Sequence, residues 1–311
     1  MNLLYLKYAV EVAACGSINK AAEKLYLDQP NLSRTIKELE GSLGVTLFQR
    51  SARGMKPTPE GEAFLRQAKT VLHQVDALEG MFRTGEGAKL RFSLSAPRAS
   101  YIAAAFSAFS RTFTEEESVE VYYKETNAMR VVKNVLEGDY KLGIVRYAEC
   151  YDSNYKQMFW DKRLAFELVT EFRYQLLCSA VSDLAGKSPV TSADLADKIA
   201  VLHADPYVPA LPTEEVRKEE APESPRQVYV FERASQFELL AENPATYMWV
   251  SPVPAEWLAR YGLVQKACPE GGRLYRDMLI YRKDYTLSAA DRAFLSELCR
   301  VRREVFEQAE G

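Results

Sequence analysis

Residues that stop and start helices divide the first sixty positions into short segments, and this punctuation constrains the fold more than any other feature. Gly16 is suited to end a first helix, because glycine readily adopts the left-handed conformation at a helix C-terminus. Ser17 and Asp28 are suited to cap the next two helices, since their side-chain oxygens accept hydrogen bonds from unpaired amide groups. Pro30 is tolerated in the first turn of the third helix. The pattern predicts a helix-turn-helix.

The third predicted helix has two chemically different faces. Leu32, Ile36, Leu39 and Leu43 recur at helical spacing and form the face that should be buried. The opposite face carries the residues that we expect to contact DNA, which are Gln29, Pro30, Asn31, Ser33, Arg34 and Lys37. A helix with this exposed face suits the major groove of DNA.

A short strand at 45–48 and a basic turn at 49–56 are predicted after this helix. The cations of the turn are Arg50, Arg53 and Lys56. A turn of this kind beside a helix-turn-helix lays positive charge against DNA phosphates, so residues 1–58 are predicted to form an all-α winged helix-turn-helix domain.

A long helix is predicted over 59–84, with Thr58 as its cap and Pro59 at its first position. Apolar residues follow a period of 3.5 along it, at Phe64, Ala68, Val71, Val75, Leu78 and Phe82. This period predicts a seam for a partner helix, and hence a homo-oligomer. The alternative is a helix that packs on its own domain. We favour the partner, because dimers gain DNA site length.

Strands and helices alternate after a predicted hinge at 84–87. The predicted strands are 90–95, 119–125, 142–145, two within 163–180, 199–203, 228–231 and 247–251, and the predicted helices are 100–113, 127–137, 192–197, 235–242 and 288–307. This alternation predicts parallel sheets covered by helices, arranged as two α/β units. The last helix is expected to pack on the first of them.

Charge and cysteine content agree with a protein that contacts nucleic acid at one end. Residues 1–84 carry 11 Lys and Arg against 9 Asp and Glu, whereas residues 85–311 carry 29 against 34. The five scattered cysteines predict reduced, buried thiols. No apolar run reaches the length of a membrane span, and the N-terminus does not read as a secretory signal. We expect a cytoplasmic protein without a membrane partner.

Catalytic motifs do not stand out in the sequence. There are two histidines, and no nucleophile elbow, phosphate-binding loop, dinucleotide fingerprint or paired-histidine metal motif is present. We therefore expect no enzyme activity, no cofactor and no metal. The alternatives are a small-molecule-binding protein, or an enzyme, with an appended DNA-binding head.

The N-terminal motif resembles the LysR family of bacterial transcription regulators. The matching residues are Ala21, Ala22, Leu25, Gln29 to Arg34, Ile36, Leu39, Glu40, Leu43, Gly44, Leu47, Phe48, Arg50, Arg53, Gly54 and Pro57 to Gly61. One departure is Asp28, where the family usually has serine. Asp28 places a negative charge near DNA phosphate, which is expected to weaken or tune binding.

The resemblance also implies the architecture beyond residue 88. It implies a C-terminal effector domain of two α/β subdomains, like a periplasmic binding protein of type 2, with a ligand cleft between them. Subdomain I would comprise 88–162 and 269–308, and subdomain II would comprise 163–268. The implied partners are a double-stranded DNA operator, a small-molecule effector, a second copy of the chain as a dimer or tetramer, and RNA polymerase.

A further implication is the position of the effector. The loop 96–100 leads into a helix N-terminus, where amide groups and a guanidinium suit an anion. The expected effector-binding residues are Pro97, Arg98, Ala99, Ser100, Thr126, Asn127, Arg146, His203 and Ser251. The sequence therefore predicts an anionic effector.

Overall fold

A computed structural model describes residues 2–25, 27–51, 54–82, 90–113, 118–212, 216, 225–268 and 273–310. The chain divides into two compact units, residues 1–88 and residues 89–311. The first unit contains the predicted helix-turn-helix, and the second contains alternating strands and helices.

The first unit consists of helices and one hairpin, namely α1 (Leu3–Cys15), α2 (Ile18–Lys24), α3 (Gln29–Leu43), β1 (Phe48–Ser51), β2 (Gly54–Pro57) and α4 (Pro59–Phe82). Gly16 ends α1 in the left-handed conformation, with φ of 59°, and the Ser17 hydroxyl accepts a hydrogen bond from the Lys20 amide. Both predicted boundaries are confirmed. Asp28 occupies the cap position of α3, but its side chain makes no capping hydrogen bond, so that expectation was wrong.

Small side chains allow the helices of this unit to approach closely. Ala9, Ala21 and Ala22 are buried in one apolar cluster together with Leu32 and Leu39 of α3. An alanine side chain occupies little space between two helix backbones, and the larger α3 side chains fill the rest of the core. The predicted inner face of α3 is confirmed for its first three positions, whereas Leu43 is exposed.

The segment after α3 differs from its prediction. Residues 45–47 form no strand. The Leu47 and Phe48 amides donate hydrogen bonds of 2.7 and 3.1 Å to Oε1 of Glu40. The antiparallel hairpin starts at Phe48, which pairs with Pro57, and it occupies most of the stretch predicted as a basic turn. Glu40 thus fixes the hairpin to α3.

The start of α4 lies against the chain just before the hairpin. The Thr58 hydroxyl accepts a hydrogen bond of 2.9 Å from the Gly61 amide, which confirms the predicted cap. The Thr58 amide donates to the Leu47 carbonyl at 2.9 Å. A Cβ atom at Gly61 would lie only 2.0 Å from that carbonyl oxygen. Glycine is required at position 61 because two backbones meet there.

The second unit contains two five-stranded sheets. Its elements are β3 (Leu90–Ala96), α5 (Ser100–Ser110), β4 (Val119–Glu125), α6 (Ala128–Leu136), β5 (Leu142–Ala148), α7 (Asp152–Asp161), β6 (Leu164–Arg173), β7 (Gln175–Ser179), β8 (Ile199–His203), β9 (Gln227–Val230), α8 (Arg233–Glu242), β10 (Thr246–Val250), α9 (Ala255–Tyr261), β11 (Leu263–Lys266), β12 (Leu274–Arg282) and α10 (Ala289–Glu310). The strand orders are β4-β3-β5-β12-β6 and β11-β7-β10-β8-β9. We call the first sheet with its helices the first lobe and the second sheet with its helices the second lobe.

Both sheets are mixed, whereas the alternation predicted parallel sheets. In the first lobe β3 is parallel to β4 and β5, but β12 is antiparallel to β5 and β6. In the second lobe β8 is parallel to β9 and β10, but β7 is antiparallel to β10 and β11. The sequence did not predict β11, β12, α7 or α9. A helix was predicted over 192–197, where a 3-10 turn, Ser192–Leu195, is found.

The chain passes between the lobes later than predicted. β6 pairs with β12 from Leu164 to Arg173, so this strand belongs to the first sheet. The first crossing therefore lies between β6 and β7, at Tyr174, and not near residue 162. The second lies between β11 and β12, near the predicted residue 268. Long-range pairing with β12 determines the sheet to which β6 belongs, and the local sequence of β6 does not predict this pairing.

The core of the first lobe is formed by aromatic rings and the last helix. The ring of Phe92 lies 4.8 Å from that of Phe109 and 5.1 Å from that of Phe294. Phe294, Leu298, Val301 and Val305 of α10 are buried in the same cluster. The predicted packing of the last helix on the first α/β unit is confirmed.

The cysteines are only partly buried, contrary to the prediction. Cys178 and Cys268 are buried, but Cys150 and Cys299 are exposed. Cys150 lies in the 3-10 turn Glu149–Tyr151 and Cys299 lies on α10, and the few residues around each did not reveal that it is exposed.

Replacement of Gly61 by alanine should destabilise the first unit. The new methyl group would overlap the Leu47 carbonyl and separate α4 from the hairpin, so we expect a loss of roughly 1–3 kcal/mol in the free energy of unfolding. Urea denaturation followed by circular dichroism measures this loss.

The matched control is Gly41→Ala in the interior of α3. A Cβ atom at Gly41 meets no atom within 4 Å, and alanine favours a helix over glycine by about 1 kcal/mol. We expect this variant to be as stable as the wild type or slightly more stable. Equal stability of both variants would contradict the close approach at Gly61.

Candidate nucleic-acid interface and interlobe charged site

The exposed face of α3 displays most of the residues predicted to contact DNA. Pro30, Asn31, Arg34 and Lys37 are exposed, and Gln29 and Ser33 are half-buried. This orientation follows from the apolar positions 32, 36 and 39, which anchor the other side of the helix in the core. The face is therefore accessible and held on a fixed scaffold.

Arg34 donates to one neighbour, Glu38, which also accepts a hydrogen bond from α1. Its side chain is 81% exposed, and Nε donates a hydrogen bond of 3.0 Å to Oε1 of Glu38, one turn further along α3. The Tyr5 hydroxyl of α1 donates to the other oxygen of Glu38, also at 3.0 Å. Glu38 thus orients the guanidinium while leaving it exposed. Sequence reasoning missed Tyr5 and Glu38, although the spacing of four residues between Arg34 and Glu38 is a signal for such a pair.

The hairpin holds the remaining predicted DNA contacts. Lys56 is exposed on β2 and pairs in register with Gln49. Arg50 lies on β1, but its side chain lies outside the described residues, as does Arg53 entirely. Gly54 has φ of 107°, and a Cβ there would lie 2.5 Å from the Gly16 carbonyl oxygen. The hairpin thus lies close to the turn between α1 and α2.

The predicted seam on α4 is partly occupied by the chain itself. Phe64 packs against the apolar cluster of the first unit, and Ala68 is buried without any partner chain. Val71 and Val75 are half-buried, while the side chains of Leu78 and Phe82 lie outside the described residues. The start of the helix therefore agrees with the alternative of packing on its own domain.

A charged contact joins the two lobes of the second unit. Arg98 follows β3 of the first lobe, and Asp205 follows β8 of the second. The guanidinium donates through Nη1 and Nη2 to the two carboxylate oxygens of Asp205, at 2.9 and 3.3 Å. The side chains are only 9% and 17% exposed. A bidentate pair with little water around it is a strong, directional contact.

Asn127 adds to this contact from the start of α6. Its Oδ1 caps the helix by accepting from the Arg130 amide, and its Nδ2 donates to the Asp205 carboxylate at 3.1 Å. The same Nδ2 also donates to the Asp205 carbonyl at 3.1 Å. The neighbouring residue Thr126 is buried, and its amide donates to the Ala96 carbonyl. The ends of β3 and β4 thus meet at Asp205.

A second charged contact between the lobes lies next to it. Nε of Arg233, at the start of α8, lies 2.9 Å from both carboxylate oxygens of Glu125, at the end of β4. The Tyr123 hydroxyl also donates to Glu125 at 2.9 Å. Neither charged residue of this pair was predicted as a site residue.

Arg146 is held within the first lobe by Asp277. The two residues are directly opposite in the antiparallel pair of β5 and β12, and Nε and Nη2 donate to Asp277 at 2.8 and 2.6 Å. Nη1 reaches the Ser251 hydroxyl of the second lobe at 3.2 Å. The guanidinium also lies 4.8 Å from the centre of the Phe172 ring. Burial opposes its charge, but the Asp277 carboxylate holds the pKa of Arg146 above its ordinary value.

Tyr101 completes the contacts of Asp277. Its hydroxyl donates to the Asp277 carboxylate, and both side chains are fully buried. Burial first, and then the negative charge of Asp277, raises the pKa of Tyr101 well above its ordinary value. The phenol therefore stays protonated and acts as a hydrogen-bond donor.

His203 ends β8 and lies near the same charges. Its buried Nδ1 has no hydrogen-bond partner within the described part of the chain. Burial and the positive charge of Arg98 lower the pKa of His203 to about 4; Asp205 opposes this shift and Arg146 adds to it. The imidazole is thus neutral at pH 7.

The structure brings most predicted effector residues to the facing edges of the two lobes. Pro97 and Ala99 are buried in the loop after β3, and Ser100 is buried as the first residue of α5. Ala99 supplies no side-chain cap to that helix. Asp205 and Asp277 were not predicted as site residues. A carboxylate two residues after a predicted strand was a usable signal for Asp205, whereas Asp277 lies on a strand that was not predicted.

Within the described residues, no helix is long and apolar enough to cross a membrane. No group of three or more His, Cys, Asp or Glu side chains in those parts of the chain is arranged to hold a metal ion.

Two family models match the chain. The model described as "Bacterial regulatory helix-turn-helix protein, lysR family" matches residues 3–62, and the model described as "LysR substrate binding domain" matches residues 83–302. The first match covers α1, α2, α3, the hairpin and the start of α4, and the second covers most of the two lobes.

Named relatives align over part of the chain. The uncharacterized HTH-type transcriptional regulator YcgK of Bacillus subtilis is 34% identical over 149 residues, which are 47% of this chain and 45% of YcgK. The HTH-type transcriptional regulator BenM of Acinetobacter baylyi is 44% identical over 81 residues, which are 26% of this chain and 27% of BenM. The matched stretch thus spans less than half the length of these relatives.

Solved structures resemble the whole chain. Full-length OxyR from Pseudomonas aeruginosa has a TM-score of 0.65 at 18% identity and covers 96% of this chain and 98% of its own. ArgP from Mycobacterium tuberculosis has a TM-score of 0.63 at 19% identity and covers 96% of each chain. At this identity the likeness establishes the fold.

A helix-turn-helix head joined to a two-lobed α/β unit defines the class of bacterial helix-turn-helix regulators. Both parts of the chain carry the signature of one family. The chain belongs to the LysR family.

The low pKa of His203 should make the protein sensitive to mild acid. Below pH 6.5 the unfolded chain takes up a proton that the folded chain refuses, so stability falls as the pH drops from 6.5 towards 4. His203→Gln removes this contribution and should reduce the loss at pH 4 by on the order of 1–3 kcal/mol.

The measurement is urea denaturation of both proteins at several pH values. At pH 8 His203 is neutral in both the folded and the unfolded wild-type chain. The difference in the free energy of unfolding between the two proteins at pH 8 therefore gives the pH-independent effect of the substitution. Parallel pH profiles of the two proteins would contradict a buried, neutral His203.

Proposed function

We propose that the chain is a sequence-specific DNA-binding transcription regulator of the LysR type, controlled by a small molecule that binds between its two lobes. The observation that carries this proposal is the exposed, cationic face of α3 on a helix-turn-helix scaffold. The membership of the chain in the LysR family supports the same function. A cytoplasmic location follows from a role at the chromosome.

In this proposal α3 enters the major groove of an operator. Arg34 and Lys37 are one turn apart on the exposed face and contact base edges, while Gln29 and Ser33 lie beside them. Arg53 and Lys56 contact phosphates, which adds affinity without sequence preference. Glu38 limits nonspecific contacts, because the Arg34 guanidinium must exchange the Glu38 carboxylate for a base or phosphate oxygen.

The effector acts in this proposal by changing how the lobes are joined. Arg98, Asn127 and Arg146 of the first lobe contact residues of the second lobe, so ligand binding at this site changes contacts on both sides. The ligand must bind one arrangement of the lobes more tightly than another, since otherwise no equilibrium shifts. The change reaches the DNA-binding heads of an oligomer, and through them DNA bending or a contact with RNA polymerase.

Catalysis is the other candidate function. The relatives described above are named as regulators, and no observation on the described residues favours turnover of a ligand. A solute-binding function alone would leave the exposed cations of α3 without a role. The regulator remains the better account.

Arg34→Ala should strongly weaken sequence preference while leaving the fold intact. A good bidentate contact to a base contributes about 1–3 kcal/mol of discrimination. The experiment selects duplexes from a random pool with the wild-type protein and then measures the affinity of the variant for the selected duplex in a gel shift. We expect a loss of roughly ten- to hundredfold in affinity for the selected duplex, and a much smaller loss for unselected DNA.

The matched control is Lys7→Ala, which removes an exposed cation of α1, a helix that is not assigned to the groove. This variant should lose little affinity, and equally for both duplexes. If Arg34→Ala keeps wild-type affinity for the selected duplex, the assignment of the DNA-binding face is wrong.

The double variant Val71→Asp/Val75→Asp tests the proposed oligomer. These positions of the α4 seam are half-buried and, unlike Phe64, do not belong to the apolar cluster of the first unit. Burial of unpaired carboxylates in a helix pair costs several kcal/mol, so the oligomer should dissociate. Light scattering measures the mass. Gln67→Asp, at an exposed position of the same helix, is the control and should keep the wild-type mass.

A double variant with the wild-type mass and stability would show that α4 packs only within its own chain. Dimer contacts would then have to be sought elsewhere.

A further inference from the structure

The Asp205 carboxylate is surrounded by donors of the other lobe. Arg98 donates to both of its oxygens through two guanidinium nitrogens, and Asn127 donates to Oδ2 through its amide nitrogen. The three donors come from the carboxyl ends of the adjacent strands β3 and β4. Together they form a recess on the first lobe whose chemistry matches a carboxylate, and the second lobe supplies one.

The backbone positions of Arg98 and Asn127 are held by the first lobe alone. Asn127 is fixed by its capping bond to the Arg130 amide, and Arg98 lies in a loop between a buried proline and a buried alanine. Asp205 reaches it from the loop that follows β8, which belongs to the other sheet. Separation of the lobes would withdraw the carboxylate and leave the donors without an acceptor.

The neighbouring pair of Arg146 and Asp277 is different. Both residues belong to the first lobe and face each other in strand register, and Asp277 is 0% exposed. Tyr101 and Ser251 use further positions of this pair. Its carboxylate cannot leave without disruption of the first sheet, so it is a permanent part of the lobe.

We propose that Asp205 is an internal occupant of an anion-binding site made by Arg98 and Asn127, and that a carboxylate-bearing effector binds by taking its place. A carboxylate is planar and accepts a guanidinium fork in the same way as Asp205 does, so the exchange keeps the charge of the site unchanged. This inference rests on the proposed function for its regulatory meaning, while the site itself is defined by the contacts above.

The exchange has a consequence for affinity. Asp205 is tethered and is present at an effective concentration on the order of millimolar or higher, so a free carboxylate must outcompete it. The effector therefore needs further contacts beyond its carboxylate. Removal of the Asp205 carboxylate should raise the affinity of the site for a simple carboxylate, by about ten- to hundredfold for a lost charge-assisted contact.

The test uses acetate as the probe and the full-length chain. Wild type, Asp205→Ala and Arg98→Ala/Asp205→Ala are titrated by calorimetry, and their thermal unfolding is followed in sodium acetate and in sodium chloride of equal ionic strength. We expect acetate to bind Asp205→Ala at least tenfold more tightly than wild type. We also expect its unfolding midpoint to rise by about 2–4 °C relative to chloride. The double variant should show neither effect, because its guanidinium is gone.

Equal acetate affinity in all three proteins would overturn the proposal, and so would an acetate effect that persists in the double variant. If Asp205→Ala does not fold, Asp205→Asn serves instead, since it keeps the side-chain volume and removes the charge. Asp205→Asn should also bind acetate more tightly than the wild type does. The titration involves no DNA. A failure to select any duplex would thus overturn the proposed function and leave this result standing.

Discussion

Paired charge between the lobes of the second unit is the interaction on which the rest of this structure depends. Arg98 and Arg146 are both 9% exposed, and an unpaired guanidinium at such positions would be costly. Arg146 is paired with Asp277 inside the first lobe, whereas Arg98 is paired across the lobes with Asp205. The first pair belongs to the sheet, and the second ties the two sheets together. Only the second can be broken by lobe movement without damage to a core.

The first unit depends on close backbone approach in place of charge. Gly54 lies against Gly16, and Gly61 lies against Leu47, so the hairpin and the start of α4 are both held at contact distance. Glu40 adds two hydrogen bonds between α3 and the segment before the hairpin. The exposed face of α3 and the hairpin are thus held by short, local contacts. Such contacts allow one small unit to present cations from two elements in a defined arrangement.

These two constraints explain which features sequence reasoning found. Local chemistry determines the end of α1, the start of α2, the cap at Thr58 and the strand β8, and all four were predicted. Other features depend on pairing between segments more than a hundred residues apart. Strand β6 was predicted in the wrong lobe, and neither β12 nor the role of Asp277 was predicted. Arg98 was expected to meet an external anion, but its partner is in the chain.

The pairing of Arg98 changes the meaning of the predicted anion site. The notion of an anionic effector rested on a helix start beside a guanidinium, and both are present where expected. However, a site that is already neutralised does not gain from negative charge alone. In the exchange proposed above, an effector must reproduce the geometry of the Asp205 carboxylate and add contacts that Asp205 does not make. His203 is neutral, and its Nδ1 has no hydrogen-bond partner among the described residues, so a ligand hydroxyl or amide donor placed beside the carboxylate would find an acceptor there. In that proposal, selectivity comes from the groups around the carboxylate more than from the charge itself.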